Sequence, residues 1–238
     1  MIVETHRCIT YGDKAIEFEI IRSSRKTLDI SVHPNRTVTV KAPIDALLEE
    51  IDRRVKNHAR WILKQQNYFS QFEPRTPPRQ YVSGETHLYL GRQYRLKVQQ
   101  SAQSSVKLKG RFLTVETPQP DNNDMTRELL ENWYLEKARL KFEERLDICF
   151  AAFKRLGCDR PPLQIRQLSK RWGSLTASGT MILNRDLIRA SSRCIDYVVT
   201  HELCHLKHPD HSPDFYNFLS SIMLDWEYRK SKLEQMLI

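Results

Sequence analysis

Two kinds of periodicity divide the chain. Within residues 16–41, Ile30 and Val32, then Val38 and Val40, alternate with polar neighbours. That period of two marks strands with one buried face, and Pro34-Asn35-Arg36 supplies the turn of a β-hairpin. From Ile44 to about Phe69 the period lengthens: Leu47, Leu48, Ile51, Val55, Ala59 and Ile62 recur at helical spacing. One amphipathic helix is predicted there. Its other positions include Arg53, Arg54, Lys56, Arg60, Trp61 and Lys64, a solvated face first and a nucleic-acid contact second. Residues 73–80, EPRTPPRQ, break the helix and read as a linker. A second strand set follows, YVSGETHLYLGRQYRLKVQQ and VKLKGRFLTVET, with Gly84, Gly91 and Gly110 at turns. It predicts a β-meander.

Pro118 to Asn123 is another breaker segment. From Asp124 to Leu156 the spacing of Leu129, Leu130, Trp133, Leu140, Phe142, Leu146, Phe150 and Phe153 is helical, with Asp124 as cap and Gly157 as stop. At that length the helix is a candidate for a bend or break. Short strands, LQIRQL and TMILN, precede a helix from Cys194 to about His208, and Pro213 to about Leu237 predicts a last helix. The fold class is α+β. A β-hairpin, helix and β-meander half (residues 1–118) precedes a mostly helical half with a small sheet (residues 119–238).

Residues 201–205 read HELCH. On a helix, positions i and i+4 share a face, so His201 and His205 can offer ring nitrogens to one metal ion. Glu202 then lies within reach of a water at that metal, which is the HExxH zinc-hydrolase pattern. Two histidines compete as third ligand. His208 shares the face of His201 but stands about 10 Å further along a helix axis, awkward for three nitrogens near 2 Å from one ion. Pro209 disfavours helix at His208, and a turn there brings His211 back over the site. His211 is therefore the preferred third ligand. Cys204 points to another face, so the set leaves an open position and favours catalysis over a closed structural zinc site. Asp196, Asp210 and Asp214 are candidates to orient the imidazoles, with helix capping and turn chemistry as the alternative. TMILN is a candidate cleft edge for pairing an extended peptide.

Composition narrows the setting. Of 238 residues, 40% are apolar and 28% charged, which suits a globular chain. No stretch approaches the roughly 18 apolar residues of a membrane helix. The opening MIVETHRCIT lacks the layout of a signal peptide. Five scattered cysteines without a CxxC pair fit a reducing compartment, and the expected location is cytoplasmic. A net charge of +9 raises nucleic acid as a possible partner, although no DNA-binding motif accompanies it.

Several ordered blocks carry a family resemblance. KRWGSLTASGTMILNRDLI followed by IDYVVTHELCHLKHPDHSPDFY resembles the RWGS, LN and HELxHLxxxxHSPxF blocks of the YgjP-like metallopeptidases, a zincin group related to the SprT and WLM-type proteases. SGETHLYLGRQYRLKV and RSSRKTLDISVHPNRTVTVKAP look like its N-terminal half. The resemblance implies a zincin-like catalytic half, Zn²⁺ on His201, His205 and His211, and Glu202 as catalytic base. Relatives often add a side chain for the oxyanion, and Tyr216, Tyr228 and Arg171 are candidates here. Leu175 stands where family members commonly carry Cys, and Tyr216 where Trp is common. The implied function is zinc-dependent hydrolysis of peptide bonds in a protein or peptide substrate. Two alternatives remain open. One is a nucleic-acid-associated protein, with an accessory metal site or as a protease of DNA-bound proteins. The other is a hydrolase of a non-peptide amide.

Overall fold

The alternating segment forms its hairpin. In the computed structural model, which describes residues 2–25, 27–33, 35–70, 79–169 and 171–237, strands β3 (Asp29–Val32) and β4 (Val38–Pro43) pair antiparallel, with Ile30 opposite Val40 and Val32 opposite Val38. Arg36 turns the chain at φ 66°; Pro34 lies outside the described residues. Two further strands, β1 (Ile2–Tyr11) and β2 (Lys14–Ser23), complete a four-stranded sheet in the order β1-β2-β4-β3. Its buried face presents Ile16, Phe18, Ile20, Val38, Val40 and Ala42 to Ile51, Val55, Ala59 and Ile62 of the helical segment.

That segment is two helices, α1 (Leu48–Asn57) and α2 (Ala59–Ser70), rather than one. His58 leaves helical geometry at φ −97°, ψ 4°, and its ring Nδ1 lies 2.9 Å from the Arg54 carbonyl. The apolar stripe continues across the break because it is buried against the same sheet. Ile44 and Leu47 stay exposed, so the helix starts later than their spacing suggests. The linker at 73–80 falls mainly outside the described residues.

The chain divides into two compact units, Met1–Thr76 and Pro77–Leu237. The boundary expected at 118/119 lies inside the second. The reason is the core: Leu96, Leu113 and Val115 of the second strand set pack in one cluster with Leu130, Phe142, Ile195 and Leu203 from later helices. Strands β5 (Thr86–Tyr89), β6 (Arg92–Gln100), β7 (Ser105–Lys109) and β8 (Phe112–Thr117) take the order β5-β6-β8-β7. They are two hairpins joined through a parallel β6–β8 pair, not a meander. The sheet of the first unit has the same arrangement, although no sequence repeat announces it.

Helix α3 (Asn123–Lys154) runs unbroken for 32 residues. Thr126, Leu130, Trp133, Ala138, Phe142, Leu146, Phe150 and Phe153 stay buried along one stripe, and each leucine or phenylalanine among them contributes about 1.5–3 kcal/mol. Leu140 faces solvent instead. The cap is Asn122, whose side chain accepts from the Met125 amide at 3.1 Å, rather than Asp124. Gly157, at φ 72°, ends the turn that follows. A three-stranded sheet of β9 (Leu163–Arg166), β10 (Gly173–Leu175) and β11 (Met181–Asn184) has the order β10-β11-β9. TMILN is therefore the central strand with both edges paired, and β10 is an edge. Three helices close the chain: α4 (Ser192–Cys204), α5 (Pro213–Ile222) and α6 (Trp226–Leu237). The expected last helix divides at Met223, which is extended at φ −139°, ψ 92°. No helix among the described residues is long and apolar enough to cross a membrane.

His87 on β5 is 1% exposed and lies 2.9 Å from Glu85, which also accepts the backbone amides of Gln80 and Tyr81. Burial, with Arg79 adding to it, pushes the imidazole down to about 4 against the pull of Glu85. The unfolded chain therefore binds more protons between about pH 6.5 and 4, and stability falls as pH drops through that window. His87→Gln should abolish that component, on the order of 2 kcal/mol, in urea denaturation compared at pH 7 and pH 4.5. An unchanged pH dependence would contradict a neutral buried His87.

Candidate active site

Helix α4 begins at the Ser191 cap, whose side chain accepts from the Cys194 amide. Every residue from Cys194 to Thr200 is buried, and so are Glu202, Leu203 and Cys204. A helix so enclosed has few ways to shift. Asp196 adds an ion pair: Arg145 of α3 donates to its two carboxylate oxygens at 2.5 and 2.6 Å, and Arg229 of α6 stands 3.7 Å away. Asp196 thus anchors α4 to its neighbours and does not orient an imidazole. Cys204 faces the core, and its thiol is pushed up to about 12 by burial.

α4 ends one residue before His205, earlier than expected, and the chain turns through His208 and Pro209 to reach α5. The turn brings His211 back against the helix. One ring nitrogen from each of His201, His205 and His211 lies within 4.8 Å of the others. Ring centroids are 5.2 Å apart for His201 and His205, 5.0 Å for His201 and His211, and 4.7 Å for His205 and His211. Phe215, fully buried on α5, packs against all three rings at 4.7–4.9 Å. Local sequence spacing did not single out Phe215; its meaning depends on the turn.

The ring chemistry suits a divalent cation. Nδ1 of His205 lies 3.0 Å from the His208 carbonyl. Nδ1 must be the donor there, because a carbonyl only accepts, which leaves Nε2 as the nitrogen that can face an ion. Nε2 of His201 and Nε2 of His211 approach to 2.9 Å. Burial, then the neighbouring His205 and His211, lower His201 to about 3, and burial also lowers His211. Imidazoles crowded together in this way are a donor set that zinc accepts. His208 gives its carbonyl to His205 and packs its ring, tilted, 5.2 Å from Phe218.

Glu202 opens onto the same cleft, of about 790 Å³, as the three histidines. Its side chain is largely buried, which pushes its carboxyl up to about 7, against the Leu175 amide and the Arg171 charge. Arg171 lines the cleft and reaches Ser174 Oγ at 3.3 Å. Tyr216 does not line it; its ring lies 6.2 Å from the His211 ring and is stacked on Trp226 at 5.5 Å. Tyr228 is 60% exposed, with Lys232 over its ring, and does not line the cleft. Tyr197 does line it, edge-on to His201 at 5.9 Å. Sequence reasoning passed over Tyr197, although it stands one helical turn before His201. Asp210 and Asp214 make no hydrogen bond to a ligand-set imidazole among the described residues.

No curated protein matches the chain. Among solved structures, the metallopeptidase zymogen jannalysin of Methanocaldococcus jannaschii is 18% identical, covering 41% of this chain and 91% of its own, with a TM-score of 0.37. The metallopeptidase zymogen abylysin of Pyrococcus abyssi is 24% identical, covering 41% of this chain and 99% of its own, with a TM-score of 0.33. The family description "YgjP-like, metallopeptidase domain" matches residues 26–236, nearly the whole length. By that match the chain belongs to the YgjP-like metallopeptidase family and is a metal-dependent peptidase.

Proposed function

We propose that the chain is a zinc-dependent peptidase in which His201, His205 and His211 hold the metal and Glu202 is the general base. The observation that carries this reading is the convergence of three histidine rings beside one buried carboxylate in one cleft. Zinc, when bound, supplies Lewis-acid polarisation of a carbonyl and acidifies water. The chain's own groups do the rest. Glu202 accepts a proton from the attacking water and returns it to the departing amine nitrogen, a role favoured by a carboxyl held near neutrality. The His205–His208 contact fixes one imidazole's tautomer and orientation. Arg171 is the best-placed of the three oxyanion candidates because it alone lines the cleft. The substrate is a protein or peptide, and the site of action is cytoplasmic.

Glu202→Gln should keep about one zinc per chain and lose two to four orders of magnitude in turnover, assayed on a proteome-derived peptide mixture by mass spectrometry. Retained turnover would remove Glu202 as base. His205→Ala and His211→Ala should each lose zinc by metal analysis, while His208→Ala keeps it. Loss of zinc in the His208 variant alone would overturn the assignment.

A second reading concerns the first unit. Trp61 is 43% exposed on α2, beside Arg60 and Lys64, and Arg53, Arg60 and Lys64 form no ion pair among the described residues. Exposed cations on the same helical segment as an exposed aromatic ring suit single-stranded nucleic acid, by phosphate contact and base stacking. Binding of a fluorescent single-stranded oligonucleotide should weaken with salt. Reversing all three charges to Glu should lower that salt slope by about 2. Binding that ignores both salt and the reversal would exclude this contact.

A further inference from the structure

The chain has seven glycines. Gly12, Gly84, Gly91, Gly110, Gly157 and Gly179 all have positive φ, where a side chain strains the backbone. Gly173 does not. Its backbone is open to any residue, so the reason for glycine there must be space. A Cβ at Gly173 would lie 2.8 Å from Glu202 Cγ, 2.8 Å from Glu202 Oε1 and 3.0 Å from Glu202 Cδ. The geometry points to Gly173 as a positioning residue for Glu202: its missing Cβ is the space in which the carboxylate lies. This rests on the reading of Glu202 as general base.

The clash cannot be relieved by moving either backbone. Gly173 pairs with Leu183 in the sheet. The preceding carbonyl, of Trp172, accepts the Asn184 amide at 2.8 Å. The Asn184 side chain, itself 4% exposed, donates to the carbonyls of Leu168 and Arg171 at 2.8 and 3.1 Å. On the other side, α4 is enclosed and anchored through Asp196. The movable part is the Glu202 side chain. An added methyl would turn it away from the Leu175 amide and out of line with the cleft. The histidines, held by α4, the turn and Phe215, need not follow.

Gly173→Ala should therefore keep its zinc, keep KM within about twofold, and lose about a hundredfold in kcat, as a misplacement of about 1 Å can cost. The assay uses the best-cleaved peptide from the mixture above. The decisive comparison is a cycle with Glu202→Asp, which retracts the carboxylate by one methylene. In that background the same alanine should cost less than about threefold in kcat. It should also lower the melting temperature of the metal-free protein less than it does beside Glu202. Equal losses in both backgrounds, or full kcat in Gly173→Ala, would overturn the proposal. If Gly173→Ala alone does not fold, the double variant should; its failure to fold would overturn the proposal as well. An active Glu202→Gln would instead sink the general-base reading, a separate outcome.

Discussion

The confinement of α4 is the constraint on which the site depends. A helix buried along nearly all of its length can carry two imidazoles and a carboxylate at its end only if its position is set elsewhere. Apolar packing against α3 does most of this, and the Asp196–Arg145 pair fixes what non-directional packing leaves free. A partly buried, two-bonded pair of this kind costs desolvation, so its value is better counted in register than in stability. Breaking it by removing one partner leaves a charge beside the core.

From that fixed helix the site is built by two approaches. The turn after Cys204 returns His211 to the pair, with Phe215 beneath all three rings. From the opposite side the edge strand β10 comes close enough to Glu202 that only glycine fits. The carboxylate is thus enclosed while the histidine cluster remains partly open. That asymmetry suits the proposed roles, a carboxylate that exchanges protons and imidazoles that bind an ion.

Much of this was legible locally. His201 and His205 are related by helical spacing, and Pro209 announces the turn that favours His211 over His208. The α+β class, the β3–β4 hairpin and the long helix α3 follow from periodicity in the same way. What escaped is long-range. The sequence around residue 173 does not announce the contact of Gly173 with the Glu202 side chain, 29 positions away. The parallel β6–β8 pair joins hairpins that look like a meander in order of sequence, because succession along the chain does not by itself set neighbours in a sheet. The breaks at His58 and Met223 carry no proline or glycine to announce them. Asp196 read as a helix-start carboxylate, and its partners come from α3 and α6.

The most direct test of the central claim is anomalous diffraction at the zinc edge from crystals of the zinc-loaded chain. The account requires one ion bound by His201, His205 and His211, with Glu202 beside it but outside the ligand set and its side chain still against Gly173. An ion held by His208 or by the Glu202 carboxylate, or a Glu202 turned away from β10, would contradict it.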